Sequence, residues 1–150
     1  MPAPRFTRFR PSSESASRIK ANLPRLNTSV EIRLRSSLWA LGLRFRLHVR
    51  ALPGNPDIVL RRHRAVIFVD GDFWHGRRWR LRRERLEHGS NSEYWIAKIE
   101  DNIRRDRAVT RRLRQAGWRV IRVWESDIKR DAGAVAARVM RLLEPEVDRP

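Results

Sequence analysis

A chain of 150 residues is long enough for one domain with a real hydrophobic core. It contains no Cys, which excludes disulfides, thiolate metal sites and a Cys nucleophile. Its 34 Lys and Arg against 17 Asp and Glu give a formal net charge of +17. Such a field attracts polyanions. Arg makes forked contacts to phosphate and stacks on bases, which suits nucleic acid. A GC-rich coding sequence that favours Arg codons is the plain alternative. No stretch approaches the roughly 20 apolar residues of a bilayer span. The N-terminus has no apolar core of a signal peptide, so the expected address is the cytoplasm or nucleoid.

Residues 1–27 carry Pro, Ser and Arg without periodicity and read as a mobile basic arm. One domain is expected over 28–150. Thr28-Ser29-Val30-Glu31 has the spacing of a capping box, and the helix it opens should run to about Leu41, with Leu34, Leu38 and Leu41 inward. Gly42 is its stop signal. Residues Leu43 to Val49 alternate with period two, as a half-buried strand does. A turn cluster at Leu52 to Pro56 precedes a short strand, Asp57 to Leu60. Arg61 to Arg64 make a tight turn into the apolar run Ala65 to Val69, which reads as a central strand ending at Asp70-Gly71.

From Asp72 to Ser92 the pattern is irregular, with a short helix near Arg83. A long helix should cover Ser92 to Ala116, with Trp95, Ile99, Ile103 and Leu113 on its apolar side. Trp118 to Trp124 reads as a strand. A last helix is expected from about Ala132 to Leu143, with Val135, Val139 and Leu142 inward. The order implies a mixed sheet flanked by helices, an α/β sandwich.

Chemistry concentrates around Asp57 and Asp70. One opens a short strand and the other ends its neighbour. If the two strands form a hairpin, both carboxylates return to one edge of the sheet, facing each other across roughly 5 Å. Two anions so close call for a hard divalent cation, and Mg2+ keeps waters for chemistry. His75 follows just past the strand end, where an imidazole can exchange protons near neutral pH. Taken singly, each is more simply a turn residue, a cap or a surface histidine. Phe73 and Trp74 adjoin His75 in a loop rich in Arg77, Arg78 and further arginines. Aromatics among cations suit base stacking and phosphate contact; covering the sheet edge is the plain alternative.

Leu52-Pro53-Gly54-Asn55-Pro56-Asp57, Val69-Asp70-Gly71, Phe73-Trp74-His75-Gly76, Tyr94-Trp95 and Arg105-Asp106 occur in this order, with Gly117-Trp118-Arg119-Val120 and Val123-Trp124-Glu125 after them. Together they resemble the very short patch repair (Vsr) endonucleases, a branch of the PD-(D/E)xK nucleases, over about three quarters of the chain. The resemblance implies a restriction-endonuclease-like three-layer sandwich. It also implies Mg2+-dependent nicking of double-stranded DNA next to a T:G mismatch, by a monomer. Asp57 matches the metal-binding aspartate and the Val69 carbonyl the second protein ligand. His75 matches the histidine that acts as general base through water, and Glu31 an acidic residue supporting the site. Phe73, Trp74 and Trp95 match aromatics that wedge into the duplex.

Two departures stand out. The family often has a second histidine where this chain has Asp70. Its structural zinc is expected to be absent, because Cys positions are taken by residues such as Asp72 and Ser126. Two alternatives remain open: a restriction- or defence-associated nuclease of different specificity, and a non-catalytic DNA-binding protein on a decayed nuclease scaffold.

Overall fold

The computed structural model describes residues 28–145. The arm expected over 1–27 lies outside the described residues. Helix α1 spans Ser29–Ala40, and the hydroxyl of Thr28 accepts the Glu31 N–H at 3.3 Å, half of the expected capping box. Val30, Leu34 and Leu38 recur every fourth residue and are buried. Leu41, expected on that stripe, is 45 % exposed, because the helix stops at Ala40 and Leu41 serves as its C-cap.

The alternating segment after Gly42 contributes only β1 (Arg46–Leu47) to the sheet. His48 takes a positive φ of 46°, which turns the chain out of extended geometry. Strand β2 (Ile58–Leu60) runs through a 3-10 turn (Arg61–His63) into β3 (Ala65–Asp70). Helix α2 (Trp79–Glu87) and helix α3 (Ser92–Gln115) follow, then β4 (Arg119–Trp124) and α4 (Glu125–Leu143).

The sheet order is β1-β2-β3-β4. The first two pairings are antiparallel, whereas β3 and β4 run parallel, joined through α3. Because strand side chains alternate, each face has its own cover. Ile58, Leu60, Ala65, Ile67, Ile121 and Val123 pack with α1 and α4 in one core cluster. Val59, Val66 and Phe68 pack with Leu113 of α3 in a second. The result is a restriction-endonuclease-like α/β sandwich: α1 and α4, a mixed central sheet, then α3. The continuous apolar run of β3 is explained by its burial on both faces.

The last helix starts earlier than the sequence suggested. A segment from Glu125 precedes a kink at Asp131, whose carboxylate accepts the Ala134 N–H at 2.9 Å and so caps the second half. Val135 and Val139 are buried as expected, but Leu142 is exposed and Leu143 takes the inward place. No helix among the described residues is long and apolar enough to cross a membrane.

Candidate active site

Strand parity selects the residues of the site. On β3, Val66, Phe68 and Asp70 point toward α3. On β4, Val120, Arg122 and Trp124 do the same, in register with them. Asp70 is therefore carried past the end of the apolar core, on the α3 side. By the β2–β3 register Asp57 falls opposite Phe68, so Asp57 and Asp70 are diagonal rather than directly opposite. Each has its own hydrogen-bond partners, yet they remain electrostatically coupled.

Asp57 Oδ2 accepts the Val69 N–H at 2.7 Å, which ties the turn before β2 to the end of β3. Gly54, at φ +75°, lets that turn lie against α3: a Cβ there would stand 2.5 Å from Val109 Cγ1. Burial, together with the charges of Glu31 and Asp70, pushes the Asp57 carboxyl up to about 6, against the pull of the Val69 amide and His48. Behind Asp57 stands a short relay. His48 Nδ1 lies 4.0 Å from Asp57 Oδ1, its Nε2 lies 3.7 Å from Glu31 Oε2, and Arg35 bonds that same Glu31 oxygen at 3.0 Å. Glu31 is thus linked to Asp57 through His48, to which sequence reasoning gave no part in the candidate site.

Asp70 is buried, and Arg122 Nη1 donates to both of its carboxylate oxygens, at 3.0 and 3.2 Å. Burial raises its carboxyl above the ordinary range even though His75 and Arg122 pull it down. His75 Nδ1 lies 2.6 Å from Asp106 Oδ2 and 3.7 Å from Asp70 Oδ1. Burial disfavours its imidazolium, but the Asp106 hydrogen bond and the two carboxylate charges outweigh that, and its pKa rises. With Nδ1 engaged by carboxylate, Nε2 is the nitrogen left for proton exchange. The ligand atoms of Asp70, His75 and Asp106 lie within 4.8 Å of one another, close enough to hold a metal ion.

Asp106 had no role assigned from sequence, though a signal existed. It falls on the same helical stripe as Ile99, Ile103 and Leu113, where a carboxylate is out of place. Arg122 likewise stands between Ile121 and Val123 in the middle of β4. It also bonds Thr110 Oγ1 at 3.1 Å and the Asp106 carbonyl at 3.3 Å, locking α3 to β4.

The loop after β3 places the aromatics. Phe73, Trp74 and Trp95 form one cluster, with ring centroids 5.1 to 5.8 Å apart. Arg82 lies over Phe73 at 5.4 Å and Lys98 over Trp74 at 5.1 Å. Asn102 donates to the Trp74 carbonyl at 3.0 Å. Gly76, at φ +68°, rests on α3 so closely that a Cβ would stand 2.5 Å from Ile103 Cδ1.

On the far side the loop is clamped to α4. Asp72 Oδ1 accepts the Ser126 N–H at 3.2 Å, and Arg77 bonds Ser126 Oγ. Arg77 also reaches Asp127 Oδ1 at 3.0 Å and Asp72 at 3.6 Å, with its guanidinium 5.6 Å from the Trp124 ring centroid. Burial opposes ionisation of Asp72, but the Ser126 hydrogen bonds and the charges of Arg77 and Arg82 prevail and hold its pKa low. The two positions that match zinc ligands in the resemblance are thus joined here by hydrogen bonds, with Arg77 between them. Arg78, the neighbouring cation, is exposed.

Comparison with known proteins finds relatives of this sequence. Residues 10–81 match the family model described as DNA mismatch endonuclease Vsr. The type II nicking enzyme V.NmeDIP of Neisseria meningitidis serogroup C is 43 % identical over 112 residues, covering 75 % of this chain and 74 % of that protein. V.XorIIP of Xanthomonas oryzae pv. oryzae, also named a type II nicking enzyme, is 44 % identical over 122 residues, covering 79 % and 85 %. The DNA mismatch endonuclease Vsr of Escherichia coli K12 is 41 % identical over 103 residues, covering 69 % and 64 %. By this likeness the chain belongs to the Vsr family and is a DNA endonuclease.

Proposed function

We propose that the protein nicks one strand of duplex DNA beside a T:G mismatch, in a Mg2+-dependent reaction, as a monomer acting on cytoplasmic, nucleoid DNA. The observation that supports this most is the gathering of Asp57, Asp70 and the His75–Asp106 pair at the C-terminal end of β3, with the aromatic cluster on the adjoining loop. A single-strand cut needs one such centre, so one copy suffices.

Asp57, Asp70 and the Val69 carbonyl would hold the ion. The donor set fits, since Mg2+ takes hard oxygen ligands. The fit is also supported by the raised pKa of Asp57, an anion that burial and its acidic neighbours leave short of compensating charge. When bound, Mg2+ polarises the phosphodiester and favours ionisation of water.

The protein's own groups do the rest. His75 Nε2 accepts the proton of the attacking water, while Asp106 fixes the ring through Nδ1 and stabilises the imidazolium that forms. Arg122 favours the ionised form of Asp70 against burial and holds it in place. Glu31 and His48 orient Asp57 from behind. Phe73, Trp74 and Trp95 insert at the mismatch, where unstacking costs less than at a matched pair. Arg78 stands on the loop surface for phosphate contact.

The test is a labelled duplex with a single T:G pair and its matched counterpart, each incubated with Mg2+ or EDTA. Nicking of the T:G duplex only with Mg2+, lost in Asp57→Ala, is expected. Equal cutting in EDTA, or full activity of the variant, overturns the mechanism. Several relatives are named type II nicking enzymes, which favours a second reading: a restriction-associated nuclease of other specificity. Equal nicking of the matched duplex selects that reading.

A further inference from the structure

A groove of about 530 Å³ opens from the site along α3. Asp70, His75 and Asp106 lie at its acidic part, and Arg107, Arg111 and Arg114 belong to its α3 wall. These three arginines recur at i, i+4 and i+7, so they share one face of the helix. All three are exposed, and none has an ion-pair or hydrogen-bond partner among the side chains of the described residues. Their neighbours differ: Arg105 pairs with Asp101 at 3.2 Å, and Arg122 is committed to Asp70.

Like charges at this spacing repel and weaken a helix by several tenths of a kcal/mol per pair. A face kept in that state, opening onto a catalytic centre, has a use for its cations. Seven residues of helix cover about 10 Å. A nucleic-acid strand carries one phosphate per roughly 3.4 Å of axis, so about three phosphates fit that length. An elongated groove walled by side-chain cations suits a run of phosphates better than one isolated anion.

We propose that Arg107, Arg111 and Arg114 bind consecutive phosphates of the strand being cut, on one side of the scissile phosphate. This rests on the nuclease reading above and adds to it the path of the cleaved strand. The aromatic cluster engages the bases from the loop after β3, while α3 guides the backbone into the centre.

Equilibrium binding of the full chain to a T:G duplex without Mg2+ tests this independently of cleavage. Arg111→Gln/Arg114→Gln is expected to weaken binding about tenfold or more near physiological salt. The slope of log K against log salt should become shallower by about 2, since each phosphate contact contributes roughly 0.9. Arg138→Gln, an exposed cation on α4, which covers the other face of the sheet, should change neither. Duplexes shortened to end just before or just after the nick position add a second reading. One truncation should erase the difference between wild type and variant, because it removes the phosphates the groove holds. An unchanged slope with affinity within twofold of wild type overturns the proposal. So does a difference that survives both truncations. If wild type binds as described but never nicks, the nuclease mechanism fails and the groove assignment stands.

Discussion

His75 and Asp106, 31 residues apart in sequence, meet through a 2.6 Å contact between Nδ1 and a carboxylate oxygen. One stands on the loop leaving β3 and the other on the sheet-facing stripe of α3, so the packing of helix on sheet creates the pair. The arrangement resembles the carboxylate–imidazole half of a hydrolytic triad, in which the acid selects the tautomer and steadies the protonated ring.

Asp106→Asn tests that role by rate and pH together. Removing the charge and the strong acceptor lowers the His75 pKa, which Asp106 raises in the wild type. The acidic limb of single-turnover nicking should lie above pH 6.5 in the wild type and move to lower pH in the variant. The plateau rate should fall by about 10²-fold or more, in the range of general acid–base contributions. A plateau loss with an unmoved limb would show that Asp106 only supports the fold.

Asp57 makes metal-free stability depend on pH. Its carboxyl stands at about 6 in the fold against an ordinary 3.8, so between these values the folded state binds more protons than the unfolded one. Stability from this group is complete below about pH 3.8 and is lost as pH rises through about 6. The rise corresponds to roughly 3 kcal/mol by linkage. Asp70 and His75 are also raised and act in the same direction. Melting curves in EDTA should place Asp57→Asn level with wild type near pH 4 and above it near pH 8. Mg2+ should raise the wild-type Tm at pH 8 and leave the variant unchanged. Wild type matching the variant in EDTA at every pH would remove the buried-anion argument.

Arg77 joins Asp72, Ser126 and Asp127, and its loss leaves two partly buried carboxylates without their main cation. Charge-assisted hydrogen bonds of this kind contribute about 1.5–3 kcal/mol. Arg77→Met should lower Tm by several degrees and reduce nicking, because the clamped loop carries Phe73, Trp74 and His75. Zinc chelators should leave the wild-type Tm unchanged, which a metal-held loop would not allow. Differential scanning fluorimetry reads both effects.

Trp95 touches Phe73 and Trp74 but not the acid–base groups. Trp95→Ala should lower the ratio of T:G to matched nicking by about tenfold, since base–aromatic stacking contributes roughly 1–3 kcal/mol per base. The pH limb should stay where it is. An undiminished ratio would detach the cluster from mismatch selection.

Local pattern made much of the fold legible. The cap at Thr28, the stop at Gly42, the buried run of β3 and the long helix after Ser92 all appear where periodicity and turn chemistry place them. Errors fell where local pattern competes with tertiary geometry. Leu43 to Val49 alternates like a full strand, yet His48 leaves the ladder to reach Asp57 and Glu31. Leu142 fits a helical stripe as well as Leu143 does, and packing into the core shared with α1 and the sheet selects Leu143.

For the candidate site, sequence alone singled out Asp57 and Asp70 at strand ends, His75 beside aromatics, and a charge suited to a polyanion. Their chemistry depends on residue type and strand parity, both written locally. Only the tertiary structure decided the partnerships: His75 with Asp106, Asp70 with Arg122, and Asp72 with Ser126 through Arg77. Hydrogen bonds between segments 31 to 54 residues apart depend on how helix faces meet the sheet, and no periodicity along the chain encodes a distance across it.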